Sequence, residues 1–329
     1  MSLLFSPLTL RSVTLPNRIA VSPMCQYSAT DGVPNDWHLV HLGSRAVGGA
    51  GLVIAEATAV EPRGRISPED VGIWNDEQVR AWQRITAFIK DQGSVPGIQL
   101  AHAGRKAVGD WVPVAPTTEP FPGLNTPEKI TNHTEIVKAF VEGALRALEA
   151  GFEVIEIHAA HGYLLHEYYS PLTNEGSIEE RIAVPVEVTA AVRAAVGSDV
   201  PVIVRISGTD WVEDGWTADD SVVLAQALKA AGADLIDVSS GGNTAQADIP
   251  VGPGYQVPLA EAVRRKADVP TGAVGLITEA KQAEQVLNDG AADLVLLARE
   301  LLRDPYWPLH AAAQLGVEVK APRQYARAF

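Results

Sequence analysis

Short runs of apolar and β-branched residues alternate along the chain with longer stretches in which apolar positions recur at helical spacing. The runs that predict strands are Arg18–Pro23, Gly51–Thr58, Val95–His102, Val154–His161, Val200–Ser207, Leu235–Ser240, Val269–Gly275 and Asp293–Arg299. Strands that alternate with helices pair in parallel and need crossover helices. Eight such units in one chain predict a closed (β/α)₈ TIM barrel that forms a single domain over residues 1–329.

Two of the intervening segments, Glu135–Ala150 and Ala218–Ala231, are predicted helices. In the first, the apolar positions that share one predicted helix face are Ile136, Phe140, Ala144, Leu145 and Leu148. Gly151 and Gly232 follow the two segments, where glycine often ends a helix. An open doubly wound sheet is the alternative fold, but the G-x-G-x-x-G fingerprint typical of that fold is absent from the sequence.

Three predicted connections are long, at residues 104–134, 162–181 and 241–257, and a C-terminal tail covers residues 320–329. The long connections follow the third, fourth and sixth predicted strands. Long loops within compact domains are often lids or binding loops. Since the active sites of barrels lie at the C-terminal ends of the strands, we expect the site there.

The chain is acidic, with 26 Lys and Arg against 40 Asp and Glu and a formal charge of −14. This balance argues against a general nucleic-acid or anionic-membrane surface. Cys25 is the single cysteine, so an intramolecular disulfide is excluded and a reducing compartment fits. The sequence shows neither a signal peptide nor a long uninterrupted apolar stretch. We therefore expect a cytoplasmic protein without nucleic-acid or membrane partners.

Polar side chains gather at the ends of the predicted strands; they are Cys25, Tyr27, Glu56, Gln99, His102, His158, His161, Arg205 and Arg299. On the fourth strand, Glu156 and His158 share one parity and are predicted to point into the barrel, while the isoleucines between them face the helices. Buried polar groups are costly unless paired. The set therefore favours a polar ligand at the ends of the strands. The alternative is a polar layer inside the barrel whose side chains hydrogen-bond only one another.

His158 and His161 permit two kinds of chemistry. They could ligate zinc or iron if Glu156 or Glu167 supplied a third ligand, although H-E-x-x-H is absent. Alternatively, neutral imidazoles could donate hydrogen bonds to a carbonyl oxygen and polarise it. Tyr163, two residues further on, is a candidate proton donor, or an aromatic residue that packs at the rim.

A phosphate site is predicted where the seventh and eighth strands end, at Gly275 and Arg299. Barrels commonly bind phosphate at this place, and a guanidinium with backbone N–H groups suits a phosphate dianion. A structural salt bridge from Arg299 is the alternative. Cys25 is interpreted as a small buried side chain rather than a nucleophile.

Four motifs resemble those of the old yellow enzyme family of FMN-dependent ene-reductases, in particular its thermophilic-like bacterial group. They are Ser22-Pro23-Met24-Cys25-Gln26-Tyr27, the third-strand segment 99–106, the segment Glu156-Ile157-His158-Ala159-Ala160-His161-Gly162-Tyr163, and the segment 298–305 that begins Ala298-Arg299. The C-terminal Gln324-Tyr325-Ala326-Arg327 resembles a segment that some members insert into a neighbouring subunit. The resemblance covers nearly the whole chain.

The resemblance implies a role for each matched residue. The residues implied to contact non-covalently bound FMN are Ser22, Pro23, Met24, Cys25, Ala57, Gln99, Arg205, Gly275, Ala298 and Arg299, with Gly275 at the phosphate. His158 and His161 would bind the substrate's activating group, and Tyr163 would donate the proton. Tyr27 would line the substrate pocket, and Lys106 would lie near the loop over the flavin. The chain departs from the family after Asn174, where the segment 175–181 is shorter than usual.

The predicted function is the reduction of activated C=C bonds in small α,β-unsaturated carbonyl or nitro compounds, by ping-pong hydride transfer from NADPH or NADH through FMN. The resemblance further implies a homodimer or homotetramer in which Arg327 reaches the neighbouring subunit. Two alternatives stay open: a metal-dependent barrel hydrolase or aldolase that uses His158 and His161, and a non-catalytic flavin redox sensor.

Overall fold

The structure, a computed structural model, describes residues 2–328 of the chain. Its strands are β1 (Leu8–Leu10), β2 (Val13–Leu15), β3 (Ile19–Val21), β4 (Leu52–Ala59), β5 (Val95–Ala101), β6 (Val114–Ala115), β7 (Glu128–Lys129), β8 (Val154–Ala159), β9 (Val202–Ser207), β10 (Leu235–Ser239), β11 (Thr271–Ala273) and β12 (Leu294–Leu297). Its helices are α1 (Asp36–Val47), α2 (Asp76–Asp91), α3 (Thr134–Glu149), α4 (Leu164–Tyr169), α5 (Ile178–Val196), α6 (Ala218–Ala230), α7 (Val257–Ala267), α8 (Ala280–Asn288), α9 (Arg299–Arg303) and α10 (Trp307–Leu315).

Eight parallel strands close into one barrel in the order β3, β4, β5, β8, β9, β10, β11 and β12, and the last strand pairs with the first. The predicted (β/α)₈ TIM barrel is confirmed, and each predicted barrel strand overlaps an observed one. The N-terminal hairpin β1–β2 and the short pair β6–β7 form two small additional sheets.

Two apolar clusters hold the barrel together. The larger one lies between strands and helices and includes Ile155 and Ile157. The smaller one lies inside the barrel and includes Val154, Ile203 and Leu235. Val154 belongs to the same strand as the two isoleucines but has the opposite parity, so its side chain points to the other face of the sheet. This parity confirms that Glu156 and His158, which alternate with the two isoleucines, face the barrel interior.

Local signals explain where several helices begin and end. Side chains of Asn35, Asn75, Ser177 and Thr217 accept hydrogen bonds from the first turns of α1, α2, α5 and α6. Gly151 and Gly232 have φ angles of 89° and 103°, so both occupy the left-handed conformation that follows a helix end.

Two local predictions are wrong. Leu145 is 46% exposed, because it lies at the solvent edge of α3 rather than on the face that carries Phe140. Residues 162–181 are not a plain loop, since they contain all of α4 and the first turn of α5. None of the helices in residues 2–328 combines the length and the apolar character needed to cross a bilayer.

Candidate active site at the C-terminal end of the barrel

A cavity of about 180 Å³ opens where β11 and β12 end. It is lined by Gly275 and Leu276 after β11, by Ala298 and Arg299 after β12, and by Arg205 from β9. Arg299 is exposed and Arg205 is buried, so one guanidinium lies at the mouth and one at the inner wall. Gly275 and Arg299, predicted to hold the phosphate of FMN, are thus brought together with Ala298, which is predicted to contact FMN.

Gly275 has a structural reason to be glycine. Its φ angle is 120°, and a Cβ built there would lie 2.8 Å from Nε2 of Gln256 and 3.1 Å from the ring of Tyr255. Gln256 is held from the other side, because its Nε2 donates to the Val274 carbonyl at 3.0 Å and its Oε1 accepts from Ser240. Any larger residue at the end of β11 would therefore be strained by its φ angle and would collide with Gln256 and Tyr255.

Arg205 links the cavity to the segment after β3. Its Nη1 donates to Oγ of Ser22 at 2.9 Å, and its Nε lies 3.2 Å from Oδ2 of Asp237. Gln99 on β5 donates from Nε2 to Oε2 of Glu156 at 2.8 Å. Ser22, Gln99 and Arg205, all predicted to contact FMN, therefore belong to one buried polar layer inside the barrel.

The segment after β3 carries Pro23, Met24 and Cys25, all partly buried, and then Tyr27, which is 50% exposed. Burial raises the pKa of the Cys25 thiol, and the Asp70 and Glu56 carboxyls raise it further, so Cys25 is a neutral thiol. Burial also raises the pKa of Tyr27 to about 12. A bulge in β4 between Ala55 and Ala57 shifts the strand register, and the Ala57 backbone hydrogen-bonds Cys25.

His158, His161 and Tyr163 form one aromatic cluster. The ring centroid of His158 lies 5.3 Å from that of His161 and 5.1 Å from that of Tyr163. Burial, and then the Arg205 charge, hold the pKa of each histidine well below its usual value, so both imidazoles are neutral. Burial raises the pKa of Tyr163 above its usual value, which keeps its hydroxyl protonated.

Both imidazoles are oriented by neighbours. Nδ1 of His158 accepts from the Ala160 amide at 3.3 Å, which leaves the proton of the neutral ring on Nε2. Nε2 of His161 lies 2.8 Å from Oγ of Ser239, and its backbone amide donates to Oγ of Ser207 at 2.9 Å. Two neutral imidazoles beside a protonated phenol can donate hydrogen bonds to a carbonyl or nitro oxygen and supply a proton.

Lys106 joins the loops after β5, β8 and β10. Its Nζ donates to the carbonyl oxygens of His161 at 2.9 Å and Gly242 at 3.0 Å, and lies 5.0 Å from the centre of the Tyr163 ring. The two loop backbones are so close that a Cβ on Gly162 would lie 2.2 Å from the Gly242 oxygen. Sequence reasoning placed Lys106 near this loop but did not identify this bridging contact.

Two predicted residues lie outside the cluster. His102 is turned away, since its Nε2 pairs with Glu61 at 2.8 Å and its Nδ1 accepts from the Gly104 amide. Arg327 is exposed, in a tail where Tyr325 packs against Tyr306 of the same chain at a centroid distance of 5.9 Å. Phe329 lies outside the described residues.

Sequence reasoning also missed Ser239 and Gln256. Ser239 shares the inward parity of Asp237 on its strand, which is a signal that could have identified it. Gln256 follows a long loop and carried no such signal. Among residues 2–328, His, Cys, Asp and Glu side chains do not form a group of three or more that could hold a metal ion.

Comparison with known proteins gives consistent results. Residues 3–318 match the model of the NADH:flavin oxidoreductase / NADH oxidase family. The chain is 50% identical to an NADPH dehydrogenase of Geobacillus thermodenitrificans, over 99% of this chain and 98% of that protein. It is 48% identical to an NADPH dehydrogenase of Halalkalibacterium halodurans over 99% of this chain and 98% of that protein.

Solved structures show the same likeness. Morphinone reductase matches with a TM-score of 0.83 and 27% identity, over 99% of this chain and 92% of that one. The old yellow enzyme of Trypanosoma cruzi matches with a TM-score of 0.82 and 26% identity, over 98% and 95% of the two chains. The resemblance to the old yellow enzyme family is thereby confirmed.

Proposed function

Because the chain belongs to the NADH:flavin oxidoreductase / NADH oxidase family, we propose that it reduces the activated C=C bond of α,β-unsaturated carbonyl or nitro compounds. The protein is a flavin oxidoreductase whose cofactor is FMN and whose electron donor is a reduced nicotinamide coenzyme. This family membership favours flavin chemistry over the metal-dependent hydrolase or aldolase. The observation that carries the proposal is the cluster of two neutral imidazoles and one protonated phenol.

The residues present fit FMN. Gly275 and the Arg299 guanidinium line one cavity and suit the phosphate. The buried layer of Ser22, Gln99 and Arg205 offers hydrogen-bond donors to a polar ring. When bound, FMN would supply the hydride chemistry that links NADPH or NADH to the substrate in the proposed ping-pong exchange. Relatives named NADPH dehydrogenase support NADPH as the donor.

The chain's own residues supply the rest of the reaction. His158 and His161 donate hydrogen bonds to the activating oxygen, so that negative charge developing there is stabilised. Tyr163 holds a proton at its hydroxyl for the α-carbon, since burial keeps the phenol protonated. Tyr27 would line the substrate pocket. The further residues that would contact FMN are Pro23, Met24, Cys25, Ala57 and Ala298.

Tyr163→Phe tests this assignment. General acid catalysis contributes about 10²–10⁴-fold, so enone reduction by the reduced enzyme should slow by that factor, while flavin reduction by NADPH changes little. Stopped-flow absorbance of both half-reactions measures the two rates. The control is Tyr168→Phe, since the Tyr168 hydroxyl has no hydrogen-bond partner within residues 2–328. Equal losses in both half-reactions of the Tyr163 variant would contradict the proton-donor role.

The proposal extends to the assembly. Arg327 is exposed in the single chain, and the tail is anchored by Tyr325 against Tyr306, which leaves the guanidinium accessible to a second copy. In the proposed homodimer or homotetramer, Arg327 reaches the neighbour's substrate pocket. Deletion of residues 324–329 should then raise KM for enones and weaken the assembly in sedimentation, with FMN retained. A fully active monomer would contradict the shared site. A cytoplasmic location stays a prediction.

A further inference from the structure

Two carboxyl groups and one guanidinium lie inside the barrel below the candidate site. Glu156 on β8 and Asp237 on β10 are fully buried, and Arg205 on the intervening strand β9 is 4% exposed. The strand register sets Arg205 directly opposite Asp237. The reaction described above uses neither carboxyl group.

The contacts of these carboxyl groups are incomplete if both are ionised. Oε2 of Glu156 accepts from Gln99 and Oδ2 of Asp237 lies 3.2 Å from Nε of Arg205. Within residues 2–328, Oε1 of Glu156 and both oxygens of Asp237 have no hydrogen-bond donor of good geometry. The two carboxyl groups nevertheless lie within hydrogen-bond reach of each other. One proton between them would give each a partner, and an unpaired buried acceptor is costly.

The surrounding charges support a single proton. Arg205 is the cation that faces the pair from β9, and His158, above Glu156 on β8, is neutral. The flanking strands contribute the neutral Gln99 from β5 and Gly272 from β11. One guanidinium therefore balances one carboxylate, and a second carboxylate would be an uncompensated buried charge. Burial, and then the Asp237 carboxyl, raise the pKa of Glu156 well above its usual value.

We propose that Glu156 and Asp237 share one proton and act together as positioning residues that fix Gln99 and Arg205 toward the flavin and set the charge beneath it. Gln99 is held by Glu156 and Arg205 by Asp237, so the shared proton joins the two FMN-facing side chains into one unit. The inference rests on the proposed FMN contacts of Gln99 and Arg205.

A consequence follows for the flavin. With one proton on the pair, the cluster including Arg205 is neutral; without it, the cluster carries a net negative charge. Negative charge near the ring disfavours the more electron-rich reduced flavin. The midpoint potential of the bound flavin should therefore fall more steeply with pH once the pair loses its proton, above neutral pH.

The test uses E156Q, which places a neutral group of the same shape beside Asp237 and can still donate a hydrogen bond to it. Glu153→Gln is the control, since Glu153 immediately precedes β8 and pairs with Lys90 at the surface. The first readout is the infrared difference spectrum of wild type minus variant at neutral pH, on protein with and without FMN. Burial also raises the pKa of Glu56 and of Glu167, so these acids can contribute C=O bands of their own. Their bands are the same in both proteins and cancel in the difference spectrum, which leaves the band of the Glu156–Asp237 pair.

We expect the C=O band of a protonated carboxylic acid to disappear in E156Q and to remain in the control. The second readout is the midpoint potential across pH, from reductive titration without substrate. The steep alkaline fall should be present in wild type and control and absent in E156Q. An unchanged infrared band, or identical potential curves, would overturn the proposal.

If E156Q does not retain FMN, D237N is titrated in the same way, and the infrared readout is made on the apoprotein. Neither measurement depends on enone turnover. Failure of the ene-reductase proposal would therefore leave these results intact, and failure here would leave Tyr163 and the two histidines as assigned.

Discussion

Lys106→Met removes the contact that joins the loop after β8 to the loop after β10. Methionine keeps much of the length and apolar character of the side chain but loses the charge that donates to the His161 and Gly242 carbonyls. Each charge-assisted hydrogen bond contributes about 1.5–3 kcal/mol, and partial exposure of Lys106 favours the lower end. Opening of the loop at His161 should therefore become easier by about 2–4 kcal/mol.

Hydrogen exchange measures this opening directly. The amides of His161 and Gly162 donate to Ser207 and His166 in the closed loop. Their protection should fall by about 30- to 1,000-fold in the Lys106 variant, because about 1.4 kcal/mol corresponds to a factor of ten. Lys129→Met, at an exposed position of the same connection, should leave protection unchanged. Undiminished protection in the Lys106 variant would refute the reasoning from these two hydrogen bonds.

Three further predictions concern the cofactor and pH. Arg299→Ala should weaken FMN binding by about 10- to 100-fold in equilibrium dialysis, as expected for one lost charge-assisted contact. Arg303→Ala should weaken FMN binding less, because Arg303 already forms a salt bridge with Glu300. Cys25→Ser should shift the flavin midpoint potential in a dye titration while turnover is retained; a dead enzyme would instead indicate a nucleophile. Burial lowers the pKa of His41 to about 3, against about 6.5 in an unfolded chain. As the pH drops from about 6.5 to about 3, the unfolded chain binds a proton at His41 that the folded chain does not, so the free energy of unfolding falls. His41→Gln should reduce the slope of that fall, measured by denaturant titration at each pH, by about 1.4 kcal/mol per pH unit.

The barrel could be predicted from the sequence because each strand and helix carries its own periodicity. The inward direction of Glu156 followed from strand alternation in the same way. The exposure of Leu145 could not be predicted, because an apolar residue at the edge of a helical face gives the same pattern whether a neighbour covers it or not. Helix α4 was hidden because it has six residues, fewer than two turns of periodicity.

Contacts between distant segments were beyond the reach of sequence reasoning. The pairing of Glu156 with Asp237 depends on which strands flank β9, and the Lys106 contacts depend on how closely two loops approach. The motif resemblance identified many of the residues that the structure gathers at the end of the barrel. It did not identify the hydrogen bonds that hold them, since those bonds involve Ser239, Gln256 and Asp237 on other strands and loops.

The shortened segment 175–181 bears on whether Tyr163 can be positioned as in the family. Tyr163 directly precedes α4, and the far end of α4 leads into the shortened segment. Arg181, the last residue of the segment, donates to the Tyr169 carbonyl at the end of α4 at 3.0 Å and to the Gly176 carbonyl at 3.1 Å. These two hydrogen bonds close the connection between α4 and α5, so the turn is complete without a longer insertion.

Helix α4 is also fixed independently of that segment. Nε2 of His166 lies 3.0 Å from Oδ1 of Asp210, and Nδ1 of His166 accepts from the Gly162 amide at 2.8 Å. Ser170 donates to the other oxygen of Asp210 at 2.6 Å. These buried contacts tie the middle and the C-terminal end of the helix to the loop after β9. The position of Tyr163, the proposed proton donor, therefore depends on His166 and Asp210 rather than on the length of the shortened segment.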